Sequence, residues 1–449
     1  MLRYWHKYDI AVSLPFGARL PFCSWLVCGL WFISSAMAGP PDSPPVPELP
    51  PPGRVVFRPA EFIGWADNQA PTAPPGFVVQ KFAGNLNHPR WLLVLPDGDV
   101  LVSQARTEKL GGMSADVIEA LTEQGVLGAS PNNIVLLRKT EKGLSQNIYL
   151  AGLNQPFGMA LLDNYLYVAN TDSVVRYRYR AGASRIDSAA EKLLDIPTSE
   201  QTSYWNNHWT RNIIPRPDGE KLYLSVGAAT DVNAQGIDHP ERAAIWELNP
   251  DGSGKRLYAT GLRNPVGMDF DPVTGDLWTT VNERDGLGED VPPDFLTRVV
   301  DGAFYGWPYV YFGTYPDPTH AKLNPERVAQ ARQIARVPDL ALGAHSVPLG
   351  LLFYGGRQFP ERYRRGAFVV RRGGVARAQL LGFDVVFIPF SEGSPSGEIE
   401  PFLTGFIEDD DRGTVHGRPV GLGMLTDGSI LVTDDAAHVI WRVSYSEVQ

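Results

Sequence analysis

Residues 90–102 read RWLLVLPDGDVLV. Two short apolar runs, 91–94 and 100–102, flank the tripeptide Pro96-Asp97-Gly98. An Asp-Gly pair between apolar runs is a strong hairpin signal, because glycine adopts at little cost the positive φ that tight turns need. The stretch therefore predicts a β-hairpin.

The same order of apolar strand, turn and apolar strand recurs five more times. The further strand pairs are predicted within 157–168, 210–224, 266–279, 349–370 and 420–432. Additional strands are predicted at 174–177, 244–248, 383–386 and 439–443, and residues 77–82 are expected to pair with the last repeat and close a ring. Six units of about four strands predict an all-β fold, a six-bladed β-propeller with long inter-blade loops. Two β-sandwich domains are the alternative, and the uniform pattern argues against them.

The composition agrees with this interpretation. The chain has 449 residues with 45 Gly and 38 Pro, too many helix breakers for a coiled coil or a large helical bundle. A hydrophobic fraction of 43% excludes a disordered chain, and a net charge of −10 argues against nucleic acid as a partner. Two helical insertions are predicted, one at 114–123 and one at 325–335 capped by Asn324.

The N-terminus predicts export. Residues 1–38 combine basic residues, an apolar run from Leu20 and the small-x-small end Ala36-Met37-Ala38, which is typical of a cleaved signal peptide. An uncleaved membrane anchor is the alternative. Both cysteines, Cys23 and Cys28, lie in this segment. We expect a periplasmic or secreted protein without stable membrane insertion, with a Pro-rich tether over 39–75 and the catalytic propeller over 76–449. Packing of Val55 to Trp65 on the propeller is an open alternative for that part of the tether.

The first chemical candidate is His208, within Asn206-Asn207-His208-Trp209-Thr210-Arg211 at the start of the third unit. Propellers bind ligands at one mouth of the central channel, so a histidine there is placed to act as a general base. A loop histidine that only satisfies a backbone carbonyl is the structural alternative.

The fourth unit opens with Arg263 and Asn264, in Gly261-Leu262-Arg263-Asn264-Pro265. The planar guanidinium of Arg263 matches a carboxylate, although an Arg-Asn pair that merely caps a turn fits equally well.

The loop 282–290 that follows is acidic. It holds Asn282, Glu283, Arg284, two glycines and the further acids Asp285, Glu289 and Asp290. Side-chain and backbone oxygens of such a loop, including those of Asn282 and Asp290, are hard ligands that suit Ca²⁺. A solvated acidic turn is the alternative.

An arginine-rich stretch lies between Arg357 and Arg377, with seven arginines and no lysine. In an acidic chain this local positive field suits a polyanionic ligand. Protection of a sheet edge by charge is the alternative, and it accounts for most of the seven.

Taken together, these segments resemble the family of soluble pyrroloquinoline quinone (PQQ)-dependent sugar dehydrogenases, especially its sorbosone dehydrogenase branch. The resemblance runs from about Phe77 to Val443. It rests on six ordered motifs, namely Asn207-His208-Trp209-Thr210-Arg211-Asn212, Gly261-Leu262-Arg263-Asn264-Pro265, Asn282-Glu283-Arg284-Asp285-Gly286, Tyr305-Gly306-Trp307-Pro308, His345-Ser346-Val347-Pro348 and Gly417-Arg418-Pro419-Val420-Gly421.

The resemblance implies a role for each matching residue. His208 matches the base that takes a proton from a sugar hydroxyl while hydride passes to the quinone. The backbone carbonyls of Glu283 and Arg284 match those that bind the Ca²⁺ holding PQQ. The residues that match cofactor contacts are Gln155, Arg263, Asn264, His345, Arg377, His416 and Arg418.

The chain also departs from the family pattern. Asn207 replaces an Asp before the histidine, Ala228 follows Gly227 in place of Asp, and the wall 372–377 keeps only Gly373 and Arg377. The expected function is oxidation of a sugar, an aldose or a sorbosone-like sugar aldehyde, with PQQ and Ca²⁺ as cofactors and an external electron acceptor. A Ca²⁺-dependent sugar-lactone hydrolase and a non-catalytic binding propeller are the alternatives.

Overall fold

The computed structural model describes residues 43–109, 111–197 and 206–446, all within one compact unit, Ala38–Gln449. The predicted signal peptide, residues 1–38, lies outside the described residues, as do both cysteines. No helix in the described part is long and apolar enough to cross a membrane.

Strands make up nearly all of the regular structure. In chain order they are β1 (Glu61–Phe62), β2 (Phe77–Ala83), β3 (Pro89–Val94), β4 (Val100–Gln104), β5 (Asn133–Thr140), β6 (Gly143–Ala151), β7 (Met159–Leu162), β8 (Tyr165–Ala169), β9 (Ser173–Arg178), β10 (Glu191–Asp195), β11 (Ile213–Pro215), β12 (Leu222–Val226), β13 (Ala244–Leu248), β14 (Arg256–Thr260) and β15 (Asn264–Phe270). The remainder are β16 (Leu277–Asn282), β17 (Asp294–Arg298), β18 (Val310–Tyr311), β19 (Tyr315–Pro316), β20 (Leu340–Gly343), β21 (Pro348–Phe353), β22 (Gly366–Arg371), β23 (Asp384–Ser391), β24 (Ser394–Pro395), β25 (Glu400–Leu403), β26 (Ile407–Asp409), β27 (Thr414–Val415), β28 (Pro419–Met424), β29 (Ile430–Asp434) and β30 (Val439–Tyr445).

Six antiparallel sheets of four or five strands form in the described part of the chain. They are β3-β4-β5-β6, β7-β8-β9-β10, β11-β12-β13-β14, β15-β16-β17-β20, β21-β22-β23 with β24 and β25, and β28-β29-β30-β2. Their first strands contact one another in a closed cycle, β3 to β7, β11, β15, β21, β28 and back to β3. The architecture is nearly all-β and of the β-propeller type.

The predicted hairpins are present, with their two strands on either side of the predicted turns. The first pairs β3 with β4, and Gly98 in its turn has φ +87°. The strand predicted at 77–82 is β2, and it pairs with β30, so the first and last strands of the ring share one sheet.

Long connections occur between sheets, as predicted, at 196–212 and 404–418. Further long connections, which were not predicted, join the second to the third strand of a sheet, at 105–132, 227–243, 283–293 and 372–383. In an antiparallel sheet these connections emerge at the same end as the links that enter each first strand. One end of the ring therefore carries both sets of loops.

Three α-helices interrupt the strands, namely α1 (Ala115–Glu123), α2 (Pro318–Leu323) and α3 (Pro325–Ile334), with a 3-10 helix at Glu361–Arg364. Ser114 caps α1 through its side chain. Asn324 precedes α3 as predicted but makes no side-chain cap, because its amide nitrogen lies 2.9 Å from Nδ1 of His320 in α2.

The hydrophobic core lies between neighbouring sheets. One cluster joins Tyr167 of β8 to Leu224 of β12 and to Trp246 of β13, which is fully buried. Burial of an aromatic side chain of this size contributes about 2–3 kcal/mol. Because each sheet packs on the next in this way, the loops at the ring's end are held by a rigid support.

Candidate active site

A cavity of about 260 Å³ opens at the loop-bearing end of the ring. It is lined by residues from the links that enter first strands, such as His208, Arg263 and Arg418, and by residues from the second-to-third strand loops, such as Asp285 and Arg372. Residues far apart in sequence meet here because, in each sheet, the link into the first strand and the loop between the second and third strands lie at this end of the ring.

His208 has a defined tautomer. Its Nδ1 lies 2.8 Å from the carbonyl oxygen of Ala228, which can only accept, so Nδ1 carries the proton. No group of the described residues bonds its Nε2, and the ring lines the cavity. Burial, assisted by the charge of Arg263, lowers the pKa of His208 well below its ordinary value. The side chain is therefore a neutral imidazole with a free acceptor nitrogen.

Two buried arginines fix the backbone that carries this histidine. Arg211 donates to the His208 carbonyl oxygen at 2.6 Å, and Arg242 donates to the same oxygen at 3.2 Å. Arg242 also donates to the carbonyl oxygens of Gly227 at 2.7 Å and Ala228 at 3.1 Å. The Ala228 carbonyl oxygen, which accepts from the imidazole of His208, is thus also held by Arg242.

Arg263 and Asn264 stand next to His208. Arg263 is 4% exposed and donates to the carbonyl oxygens of Asn282 at 3.0 Å and Glu283 at 2.6 Å, and its guanidinium pairs with Asp231 at 2.5 Å. The side-chain Oδ1 of Asn264 is buried and has no partner. An unsatisfied buried amide is costly, so this atom marks a place where a ligand belongs.

One wall of the cavity is acidic. His345 is bonded from Nδ1 to Asp285 at 2.9 Å and from Nε2 to the carbonyl oxygen of Gly288 at 2.8 Å. Burial opposes protonation, but the contact with Asp285 prevails and raises the pKa of His345. In turn the hydrogen bond from His345 and the charge of Arg263 outweigh burial and lower the pKa of Asp285. The pair is an imidazolium-carboxylate pair.

Two further acids, Glu283 and Asp294, also line the cavity. Burial raises the pKa of Glu283 to about 7 and that of Asp294 to about 6. Asp294 accepts from the backbone nitrogens of Glu283 and Val347, both at 2.8 Å. Within residues 43–109, 111–197 and 206–446, no group of three or more His, Cys, Asp and Glu side chains is arranged to hold a metal ion.

Another part of the cavity wall is basic. Arg418 lines the cavity and makes one long hydrogen bond, 3.4 Å from Nη2 to the Ala60 carbonyl oxygen. Arg372 bonds the buried carboxylate of Asp435 from Nε at 3.0 Å and from Nη2 at 2.9 Å. Arg90 bonds the same carboxylate. Burial lowers the pKa of Arg418 to about 10, which leaves it charged at neutral pH.

The structure brings together some of the residues predicted for the site. His208, Arg263, Asn264, Asn282, Glu283, His345 and Arg418 all line the cavity. Gln155 does not line it; its side chain donates to the carbonyl oxygen of Arg106 at 2.8 Å. His416 does not line it either, since its imidazole lies 2.6 Å from the Gly64 carbonyl oxygen and 2.8 Å from Glu408.

Three predicted residues point elsewhere. The side chain of Arg284 pairs with Asp317 at 2.5 Å. Asp290 is at the surface and pairs with Arg377 at 3.4 Å, so neither side chain lines the cavity.

Several cavity residues escaped the sequence analysis. Asp294 and, behind the wall, the pair Arg90 and Asp435 had been given no role, whereas Asp285 and Arg372 had been named only as members of the acidic loop and of the arginine-rich stretch. The arginine-rich stretch signalled Arg372, but sequence alone does not show which of its arginines meets Asp435, 63 residues further on.

A second cavity of about 380 Å³ adjoins the first. His208, Arg263 and Asp285 line both. The other lining residues are the polar Asn207, Thr230, Asp231 and Gln235 together with Met113, Val232 and two glycines. His208 thus stands between two spaces.

Comparison with known proteins places this geometry in context. Residues 71–294 match the model of a family described as TrAA12-like. An uncharacterised protein of Borreliella burgdorferi is 28% identical over 304 residues, which is 66% of this chain and 77% of that protein.

Two solved structures share the fold. The calcium structure of the Trichoderma reesei carbohydrate-active enzyme family AA12 has a TM-score of 0.66 at 18% identity and covers 87% of this chain and 98% of its own. The holo form of the PQQ domain of pyranose dehydrogenase from Coprinopsis cinerea has a TM-score of 0.65 at 18% identity and covers 85% and 98%. The chain is thus similar to the TrAA12-like family over residues 71–294, and along most of its length it has the fold of PQQ-dependent sugar dehydrogenases.

Proposed function

We propose that this protein is an exported oxidoreductase on a six-bladed β-propeller. It oxidises a sugar, an aldose or a sorbosone-like sugar aldehyde, with PQQ and Ca²⁺ as cofactors. One observation carries the proposal: His208 is held neutral with Nε2 free, at the junction of a cavity suited to a polyanion and a second cavity that offers several polar side chains.

The residues present fit PQQ, which carries three carboxylates. The basic wall holds Arg372 and Arg418, and Arg90 lies behind it. These three arginines surround two buried carboxylates, Asp434 and Asp435, which leaves an excess of positive charge. Nη1 of Arg372 and both Nε and Nη1 of Arg418 have no partner among the described residues, and Oδ1 of Asn264 is unsatisfied. These are the donors and the amide that a carboxylated quinone would engage.

When bound, PQQ supplies a two-electron acceptor for the substrate's hydride. The chain's own task is to remove the proton. A sugar hydroxyl in the second cavity would donate to Nε2 of His208, which takes the proton as the C–H bond breaks. The imidazolium so formed keeps its Nδ1 bond to Ala228, and Arg211 and Arg242 hold the backbone in place.

The acidic wall supports the Ca²⁺ proposal. Buried Glu283 and Asp294 have raised pKa values near neutrality, and a nearby divalent cation would favour their ionised forms. Backbone carbonyls in the loop that starts at Glu283 supply further hard oxygen ligands. The proposed Ca²⁺ ligands include the carbonyl oxygens of Glu283 and Arg284. The Glu283 carbonyl accepts from Nη1 of Arg263 at 2.6 Å, so Ca²⁺ binding there requires this guanidinium to move away.

Reconstitution tests the function directly. The protein is titrated with PQQ in the presence of Ca²⁺ and followed by absorbance, and dye reduction is then measured over a panel of aldoses and sugar aldehydes. We expect a saturable spectral change and dye reduction by at least one sugar. Absence of any spectral change would overturn the proposal.

The same assay separates the two other candidate functions. Lactone hydrolysis without an electron acceptor would indicate a hydrolase. Binding of sugar without turnover would indicate a binding propeller. The basic wall favours the quinone over both, since neither a neutral lactone nor a neutral sugar requires three arginines.

A further inference from the structure

We propose that residues 53–65, here named the strap, form a fixed wall of the ligand cavity, and that the side chain at position 60 limits the room for a ligand beside Arg418. The strap precedes the range that matches the TrAA12-like family, residues 71–294. The inference rests on the proposed function only for the identity of the ligand.

The strap begins at the acidic wall. The backbone nitrogen of Gly53 donates to the carbonyl oxygen of Leu287 at 2.8 Å. Gly53 also packs directly on Gly288, where an added Cβ would lie 2.7 Å from the Gly53 nitrogen. The carbonyl of Gly288 is the one that His345 bonds. The strap is therefore in contact with the residues that orient the imidazolium.

Arg58 anchors the middle of the strap. Its backbone nitrogen donates to the Val375 carbonyl oxygen at 2.6 Å, next to the glycines that line the cavity. Its guanidinium donates to the carbonyl oxygens of Ala378, of Asp410 at 2.7 Å and of Asp411 at 2.8 Å. One side chain thus ties the strap to two separate loops.

The strap ends at the basic wall. Glu61–Phe62 (β1) pairs in parallel with Thr414–Val415 (β27). Trp65 stacks on His416 with ring centroids 4.7 Å apart, and its Nε1 donates to Asp434 at 3.0 Å. His416, which was predicted to contact the cofactor, is therefore covered by the side chain of Trp65 in the strap.

Ala60 lies between these anchors and lines the cavity together with Phe383, and both residues belong to one buried hydrophobic cluster. Ala60 is 2% exposed and supplies the carbonyl oxygen that accepts from Arg418. Because both flanks are pinned, the strap cannot yield easily to a larger side chain here. Position 60 therefore sets the size of the space in front of Arg418, and the strap makes the cavity suited to a compact ligand.

Cysteine labelling tests the wall. With Cys23 and Cys28 replaced by serine, the full chain carries either Ala60→Cys or Ala70→Cys, the latter at an exposed alanine beyond the strap. We expect N-ethylmaleimide to react with the thiol at position 60 about 100-fold more slowly than with that at position 70, because reaction needs local opening. Equal rates would overturn the proposal.

The labelling rates are then measured again after addition of PQQ and Ca²⁺. We expect the labelling at position 60 to slow by a further factor of about ten, with no change at position 70, because a ligand protects the groups it covers. A spectral change on PQQ binding with unchanged labelling at position 60 would overturn the wall. Absence of PQQ binding would instead overturn the proposed function, and the ligand-free rates would still decide whether the strap is seated.

A size series addresses position 60 itself. Ala60→Leu should weaken PQQ binding by at least about tenfold, since it fills ligand space, whereas Ala60→Gly should not weaken it. Thermal unfolding of each variant controls for the fold. If Ala60→Leu unfolds like the parent chain and binds PQQ equally well, position 60 does not limit the cavity.

Discussion

The imidazole of His208 and the backbone carbonyl of Ala228 are joined by a 2.8 Å hydrogen bond from Nδ1. This bond decides which nitrogen faces the cavity, and the chain secures the acceptor by a second donor, Arg242 at 3.1 Å. A carbonyl cannot reverse its role, so the tautomer is set by the backbone.

Replacement of His208 should separate binding from turnover. His208→Gln should lower kcat for sugar oxidation by about 10²–10⁴-fold, the usual contribution of a general base, while PQQ affinity changes little. His320→Gln is the control for the loss of a buried histidine. His320 is more deeply buried than His208 and lines neither cavity, and it bonds the carbonyl oxygen of Val232, at the edge of the second cavity, at 2.7 Å. Turnover by His208→Gln within a factor of a few of the parent chain would contradict the assignment.

NMR of the histidine side chains should show the tautomer of His208 and the pH range over which it stays neutral. Because burial and Arg263 lower the pKa of His208, its signal should remain that of the neutral Nδ1–H form as pH falls through 6.5. The charge of Arg242 contributes to this shift, so Arg242→Gln should move the titration to higher pH. The His208→Gln variant identifies the signal. A protonation midpoint at or above 6.5 in the parent chain would contradict the prediction.

The pair His345 and Asp285 should make stability depend on pH. The raised pKa of His345 gives stability that is complete below its unfolded value of about 6.5 and is lost as pH rises through the folded value. His345→Asn, which tolerates the φ of +60° at this position, removes the contribution. The difference in Tm between the two proteins should therefore be largest below pH 6.5 and shrink above it. A difference that grows with pH would contradict the imidazolium assignment.

Gly227 should not accept a methyl group. An added Cβ would lie 2.7 Å from the His208 Cβ and closer still to Oδ1 of Asn264. Gly227→Ala should therefore displace both side chains and lower PQQ affinity and kcat together, each by about tenfold or more, since small misplacements are costly in active sites. Gly355→Ala is the control, because its nearest neighbour is 4.0 Å away. Equal effects of both substitutions would point to a general loss of stability.

Adjacent arginines should behave differently. Arg372 faces the cavity, whereas Arg371 is paired with Asp384 at 2.6 Å on the sheet. Arg372→Gln should weaken PQQ binding by about 10–100-fold, because a hydrogen bond to a charged group is lost, and Arg371→Gln should leave it within about threefold. Absorbance titration measures both. Equal affinities for the two variants would exclude Arg372 from the ligand site.

Local sequence predicted the strands well. Turns such as Pro96-Asp97-Gly98 fix where a strand must end, and the apolar runs around them are long enough for one buried strand each. The Asn324 cap was wrong because His320, in a helix that the sequence analysis did not predict, holds that amide. The long loops between second and third strands were not predicted, because no short sequence motif marks which connection of a sheet is long.

The site was predicted only in part, because it depends on contacts between sheets. His208 and Arg263 each lie just before the first strand of a sheet, and the sequence repeat shows where these first strands begin. Which acid of the loop 282–290 turns inward depends on the positive φ of Gly286 and Gly288, and it is Asp285 and not Asp290 that reaches the cavity. The strap lies within the segment expected to be a tether, and its contacts fall on loops more than 200 residues away.

The pairing of β2 with β30 has a consequence for the order of assembly. The ring cannot close until the last strand has left the ribosome, because that strand is the partner of one of the first. The strap precedes β2, and its docking surfaces come from loops of the fourth and fifth sheets and from the segment before the last sheet. The segment synthesised early is thus among the last to be placed, so the ligand cavity is completed only when the whole chain has folded.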